Sequence, residues 1–216
     1  MTKGPLLCVV DCQVKFEHLI NDQTKRSMQQ VIHYFLKGDC PIVWTQYDCY
    51  KNGQKEDPLA DETSIMRLHQ ALTFQRQSHQ YPPMRYDFIS LEQQSGQRGS
   101  SGYALCHDLA PDVFNIQNPI IVETRLWDAF YHPHFRALID QLDDRRIFLI
   151  GGWSEFCIHS NAILALHHDL VPYIIHDAVF SSSTNFSQSV LQHLQETCVI
   201  LSTQQLLNGC YQHPMA

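Results

Sequence analysis

Two residues stand where a side chain can do chemistry. Asp11 follows directly on PLLCVV, a run apolar throughout, as a strand buried on both faces would be. A lone carboxylate there is costly to bury unless it has a partner or a proton to handle. Cys157 follows RIFLI and the turn Gly151-Gly152-Trp153-Ser154, which places it in the first turn of the next helix. Backbone N–H groups and the helix dipole at such a position stabilise thiolate and make a nucleophile of the thiol. Each residue also has a plainer use: a cysteine at a helix start packs as a small hydrophobe, and an aspartate at a strand end forms turns.

The elements that must position this pair are legible as alternation. Short β-like runs alternate with segments of helical period, the mark of a parallel sheet covered by helices on both faces, so the class is α/β with three layers, α/β/α, and six strands. The strands are predicted at Pro5 to Val10, Pro41 to Thr45, Pro119 to Glu123, Arg146 to Ile150, Pro172 to Ile175 and Val199 to Ser202. Helices are predicted at Gln23 to Leu36, His134 to Leu142, Glu155 to His168 and Asn185 to Glu196. In open parallel sheets, ligands bind outside the carboxyl ends of the strands where strand order reverses, and both Asp11 and Cys157 follow strand ends. Residues 50–118 depart from the pattern: after a helical portion near Asp61 to Leu72 comes a Gln, Ser, Pro and Gly-rich passage, either a surface excursion or a cover for substrate.

Composition narrows the chemistry. A chain of 216 residues, 44% hydrophobic and 17% charged, fits one globular domain spanning 1–216 and disfavours disorder. The net charge of -7 and the absence of a basic run argue against nucleic acid. No apolar stretch is long enough to cross a bilayer. The 13 His are scattered without metal-ligand spacing, and no metal or cofactor is predicted. Eight Cys could form disulfides, but several lie in apolar runs such as LLCVV and TCVIL, and the start of the chain does not read as a secretory signal; the expectation is a reduced, cytoplasmic protein. No glycine-rich phosphate loop follows a strand, which argues against a nucleotide-binding α/β protein.

Together these segments resemble a known family. VVDCQVKFEH is similar to the VVDxQ-x-x-F opening of the isochorismatase-like cysteine hydrolases, and IGGWSEFCIHSNAILALHHDLVPYIIHDAVFSS is similar to that family's strand, G-x-x-T/S-x-x-C turn, helix and strand ending in Asp-Ala. WDAF, residues 127–130, matches its aromatic-Ser-Ala-Phe stretch. The resemblance spans most of the chain apart from the 50–118 region. It implies a Rossmann-like six-stranded parallel sheet and an Asp, Lys and Cys triad attacking an amide carbonyl, with Asp11 as general base and Cys157 forming a thioester. It further implies a cis peptide between Gly152 and Trp153, an oxyanion hole from the N–H groups of Trp153 and Cys157, a small-molecule substrate, and a homodimer or higher oligomer. Trp127, Phe130, Trp153 and Phe156 are the candidate lining residues, favouring a small planar or apolar substrate.

The third triad member departs from the pattern. Counting back from Asp128 puts Thr124 in the lysine slot, with Arg125 the adjacent cation, able to reach the site only if the strand has ended or bulged by then. Arg cannot shuttle a proton as Lys does. Without a cation, a carboxylate and a thiolate are neighbouring like charges that raise each other's pKa. His132 and His134, just past WDAF, are the other candidate cations, and His159 reads as a helix-face residue. Metal-dependent nicotinamidases carry Asp-x-His after the second strand, whereas QYDCYKNGQ has Asp48 with no His two residues on; members that hydrolyse isochorismate lack the cysteine. Two functions follow: a hydrolase of a C–N bond in a small amide with an altered third residue, or a non-catalytic descendant that binds a small molecule or a protein.

Overall fold

In a computed structural model of the chain, the residues described are 4–47, 50–51, 54–55, 101–110, 120–124, 127, 129–130, 132–181 and 184–211. Six strands form one parallel sheet: β1 Leu6–Val10, β2 Ile42–Tyr47, β5 Ile120–Thr124, β6 Arg146–Gly152, β7 Val171–Phe180 and β8 Val199–Leu201, in the order β5-β2-β1-β6-β7-β8. A small antiparallel pair, β3 Tyr50–Lys51 with β4 Gln54–Lys55, lies at the start of the 50–118 region. The expected helix near Asp61 to Leu72 and the passage after it lie outside the described residues.

Every residue of β1 is buried, because the strand is central and covered on both faces. Alternation divides it between two cores: Leu7 and Val9 pack with Met28, Val31, Ile32 and Phe35 of α1 (Asp22–Lys37), and Leu206 of α5 (Thr203–Leu207) joins them. Leu6, Cys8 and Val10 pack on the opposite face with Phe135 and Ile139 of α2 (Pro133–Ile139), Ala162 and Ala165 of α3 (His159–His167) and Leu194 of α4 (Thr184–Leu194). These two apolar layers make the sandwich of helix, sheet and helix. Helix α1 starts where Asn21 accepts a hydrogen bond from the Thr24 N–H (2.9 Å), with Asp22 in its first turn and Lys37 in its last, each favourable to the helix dipole.

Three differences from the sequence expectation bear on the site. A 3-10 helix, Val14–Leu19, occupies the link between β1 and α1. The helix expected to begin at Glu155 begins instead as a π-helical turn, Ser154–Ile158, with Ile158 N–H donating to Trp153 O (3.0 Å), before α3 takes over. And β7 runs on past Ile175 through His176 and Asp177 to Phe180. The polar pair reads as a strand end, but Asp177 has its own partners: its carboxylate accepts from Thr203 N–H (2.8 Å), Thr203 Oγ1 (2.9 Å) and Ser27 Oγ (3.3 Å).

Candidate active site

Strand order reverses between β1, whose chain continues outward through β2 and β5, and β6, which continues through β7 and β8 the other way. Asp11 leaves β1 at this switch point and Cys157 follows β6, paired residue for residue with β1 up to Val10 and Gly151. The peptide between Gly152 and Trp153 is cis, as the resemblance implies.

The structure brings the two residues together: the Cys157 side chain lies within hydrogen-bonding reach of the Asp11 carboxylate and acts to lower its pKa. Asp11 is 2% exposed and takes a left-handed backbone, φ 47°, a conformation that Asp and Asn tolerate better than most residues. Thr45 of β2 grips it twice, its Oγ1 accepting from Asp11 N–H (3.0 Å) and donating to Asp11 Oδ1 (2.6 Å). Burial pushes the Asp11 carboxyl above its ordinary value, while the hydrogen bonds from Thr45 and Cys157 and the charge of Lys15 pull it down without cancelling the rise. The result is a carboxylate with more appetite for a proton than an exposed one.

Thr124 is the last residue of β5, 4% exposed, paired in register with Tyr47 at the end of β2, and its Oγ1 has no hydrogen-bond partner among the described residues. Arg125 lies outside the described residues. His132 is not placed as a ready cation: its Nδ1 accepts from His134 N–H (3.3 Å) at the start of α2, and burial and the neighbouring His134 lower its pKa. His159 opens α3, 6.4 Å from His193 between stacked ring centroids, with a pKa lowered by burial.

Three of the four candidate lining aromatics form one wall. Phe156 lies between Trp127 (5.2 Å between ring centroids) and Trp153 (6.2 Å), and Trp153 meets Phe16 edge-on at 5.6 Å. Phe130 is buried against Phe135 and stacked at 5.0 Å on His168, the residue that ends α3, within the apolar cluster that also holds Cys157.

Sequence reasoning missed four residues that hold this geometry. Thr45 is one. Gln13 is fully buried, its side-chain N–H donating to Tyr47 O (3.2 Å) and Tyr103 O (2.9 Å) and its Oε1 accepting from Tyr47 N–H (3.0 Å), which ties the chain after Asp11 to β2. Glu155, buried in the nucleophile turn, accepts from Ser154 Oγ at 2.8 Å. Asn161, 1% exposed, donates to Cys157 O (2.7 Å) and Trp127 O (3.0 Å) and accepts from Ala129 N–H (2.9 Å). Gln13 lies inside the DxQ motif and Asn161 four residues past the cysteine on the same helix face, and those spacings were the available signals. Replacing Asn161 by Leu strands two carbonyls and one N–H in the core, so it is expected to lower stability by about 2–4 kcal/mol in urea denaturation; an unchanged midpoint would show that the 127–130 segment is held by other contacts.

Among the described residues, no group of three His, Cys, Asp or Glu side chains is arranged to hold a metal; Asp48 lies outside them. Cys8, Cys12, Cys40, Cys106, Cys157, Cys198 and Cys210 are all free thiols. No described helix is long and apolar enough to cross a membrane.

Comparison with known proteins agrees with this geometry. The fold is similar to that of the pyrazinamidase/nicotinamidase from Streptococcus mutans (18% identity, TM-score 0.65, covering 92% of this chain and 100% of that one). It is likewise similar to the N-carbamoylsarcosine amidase from Thermoplasma acidophilum (17%, 0.65, 93% and 96%) and to an isochorismatase-like hydrolase from Alkaliphilus metalliredigens (15%, 0.64, 95% and 98%). No curated protein matches the chain by sequence. The Isochorismatase domain model matches residues 5–205, nearly the whole length from β1 into α5. With that span matched, and with an aspartate after β1 facing a cysteine after β6 across the switch point, the chain belongs to the isochorismatase family.

Proposed function

We propose that this protein is a single-domain hydrolase that splits a C–N bond of a small amide, with Cys157 as nucleophile and Asp11 as general base. The observation that carries the reading is the Cys157 side chain held within hydrogen-bonding reach of a buried carboxylate whose proton affinity is raised. Attack begins as the thiol proton passes to Asp11 and the sulfur bonds to the amide carbon, the C=O electron pair moving onto oxygen. The N–H groups of Trp153 and Cys157 receive that oxyanion. As the C–N bond breaks, Asp11 returns the proton to the departing nitrogen; a water, deprotonated by the same carboxylate, then attacks the thioester and releases the acid and the thiol. After the first proton transfer the pair carries one negative charge, on sulfur, so the like-charge conflict arises only if both groups ionise. Thr124 offers a buried hydroxyl to the substrate in place of an ammonium, and Trp153, Phe156 and Trp127 favour a small planar one. Free thiols support a reducing, cytoplasmic setting, and a homo-oligomer belongs to the same reading, to be measured by light scattering.

The replaced lysine favours a second reading, a binding protein that keeps the fold without turnover. The test is a panel of small amides, including nicotinamide, pyrazinamide, N-carbamoylsarcosine and aliphatic amides, scored for ammonia release and, after acid quench, for an acyl mass on the Cys157 peptide. Ammonia together with an acyl adduct that Cys157→Ser abolishes is expected. Amides that raise the melting temperature without acylating Cys157 would establish the binding protein instead.

A further inference from the structure

The Lys15 side chain is the feature that neither the family pattern nor the sequence reading assigns a role. It lies on the 3-10 helix four residues past Asp11, half-buried, with its ammonium donating to the carbonyl of Tyr47 (3.4 Å). Tyr47 is the strand partner of Thr124. The ammonium therefore sits at the carboxyl end of β2, one strand across from the position the family's lysine would occupy on β5. Two rings fix it there, Phe16 with its centroid 4.6 Å from Nζ and Tyr47 at 4.7 Å, both attractive to a cation. The backbone that carries it is fixed as well: Gln13 is bonded to both backbone atoms of Tyr47, Val14 N–H donates to Ala104 O (2.8 Å), and Phe16 N–H donates to Gln13 O (2.8 Å).

We propose that Lys15 is the positioning residue that supplies the positive charge for the Asp11–Cys157 pair, from the strand next to the vacated lysine slot. The inference rests on the hydrolase reading above and adds to it the source of the charge. Lys15 acts through the field at Asp11 and the sulfur and hands over no proton. Its pull on Asp11 has the sign this role needs, favouring the negative form. Several other basic side chains are engaged elsewhere, Lys25 with Asp108 and Glu17, Arg26 with Gln23, Arg146 with Asp144, and Arg145 with the carbonyls of Ile139, His168 and Asp169, while Lys37 and Arg136 lie in the last turns of α1 and α2. The groups that share this surrounding are the buried thiols of Cys8 and Cys12, both raised by burial and by the Asp11 charge, Glu155 in the nucleophile turn, and Glu123 of β5, which accepts from Tyr103 OH (3.1 Å) and bears on His132. Among the groups that act on Asp11, Lys15 is the one that brings a positive charge.

The test is the pH profile of iodoacetamide alkylation at the Cys157 peptide, followed by mass spectrometry in the full-length protein. A nearby opposite charge moves a titration by about one unit or more. Lys15→Met, which keeps the stem against the two rings, is expected to move the alkylation midpoint up by about one pH unit, a roughly tenfold slower reaction below it, with melting temperature close to wild type. Lys15→Arg is expected to restore the wild-type midpoint, a readout a purely packing role would not move. A Lys15→Met profile superimposed on wild type, or an equal shift in both variants, overturns the proposal. Failure here is separable from failure of the hydrolase reading: acylation of Cys157 with an unmoved profile defeats only the role of Lys15, whereas a moved profile with no acylation by any amide defeats only the hydrolase.

Discussion

Asp11→Asn is expected to lower turnover, and the alkylation rate of Cys157, by between about 10²- and 10⁴-fold, the range for losing a general base, while leaving the fold at least as stable. Asn keeps the shape of Asp11, tolerates its left-handed backbone and still accepts from Thr45 Oγ1. It differs in having no proton to lose. Burial raises the Asp11 pKa, so the neutral acid is favoured more in the folded chain than in the unfolded one. The stability this contributes is complete below the ordinary carboxylate value and is lost as pH rises through the raised one. Asn escapes that loss, so the melting temperature of the variant relative to wild type should climb from acid to neutral pH. Melting curves at pH 4 and pH 8 check it. A variant that loses stability relative to wild type as pH rises would show that the fold favours the anion, and the proton acceptor would lose its basis.

The second large effect separates two adjacent glycines of the nucleophile turn. Gly151 has φ 102°, and a Cβ there would come 2.1 Å from Val10 O, in the backbone of the neighbouring strand. Gly152 would place its Cβ 2.2 Å from a ring carbon of Phe180, a side chain. Gly151→Ala combines overpacking with a backbone conformation that L side chains avoid, and is expected to cost roughly 3–5 kcal/mol. It should also abolish Cys157 acylation, because it parts β6 from β1 just where Asp11 and Cys157 are brought together. Gly152→Ala has a remedy in truncation of Phe180. In a double-mutant cycle, Gly152→Ala and Phe180→Ala should couple favourably by about 1–3 kcal/mol, whereas no truncation near Gly151 should recover that variant. Urea denaturation of the single and double variants gives the comparison. Simple additivity at Gly152 would mean that the turn itself, and not the ring, excludes the methyl group.

Much of this architecture is legible in the sequence because burial writes itself plainly there. PLLCVV and RIFLI read as central strands since both faces of the sheet are covered, and the expected starts of all six strands lie within one residue of the observed ones. The pairing of Asp11 with Cys157 was likewise readable, as a strand-end rule applied to two strands. What escaped was set by contacts distant in sequence. Thr45 and Gln13 act across β1 and β2, and no local spacing reports that a threonine hydroxyl meets a carboxylate thirty-four residues away. Asp177 reads as a strand end until its partners on α1 and α5 are known. Nor does nearness to Trp127 along the chain report that the Phe130 ring stacks on His168. Lys15 was visible inside VKFEH, yet its direction depends on the 3-10 helix, which has no apolar period to announce it.

The sheet order carries a consequence for how such a site changes over time. Asp11 and Cys157, the proposed base and nucleophile, follow β1 and β6, interior strands with a neighbour on each side, so a shift in either disturbs two ladders at once. Thr124 ends β5, which among the described residues is the rim strand, bonded to β2 alone. Rearrangement there disturbs a single ladder. On the mechanism proposed here, the outermost of the three positions is the one that can be re-equipped most cheaply, with the fixed parts kept at the centre and the exchangeable part at the margin.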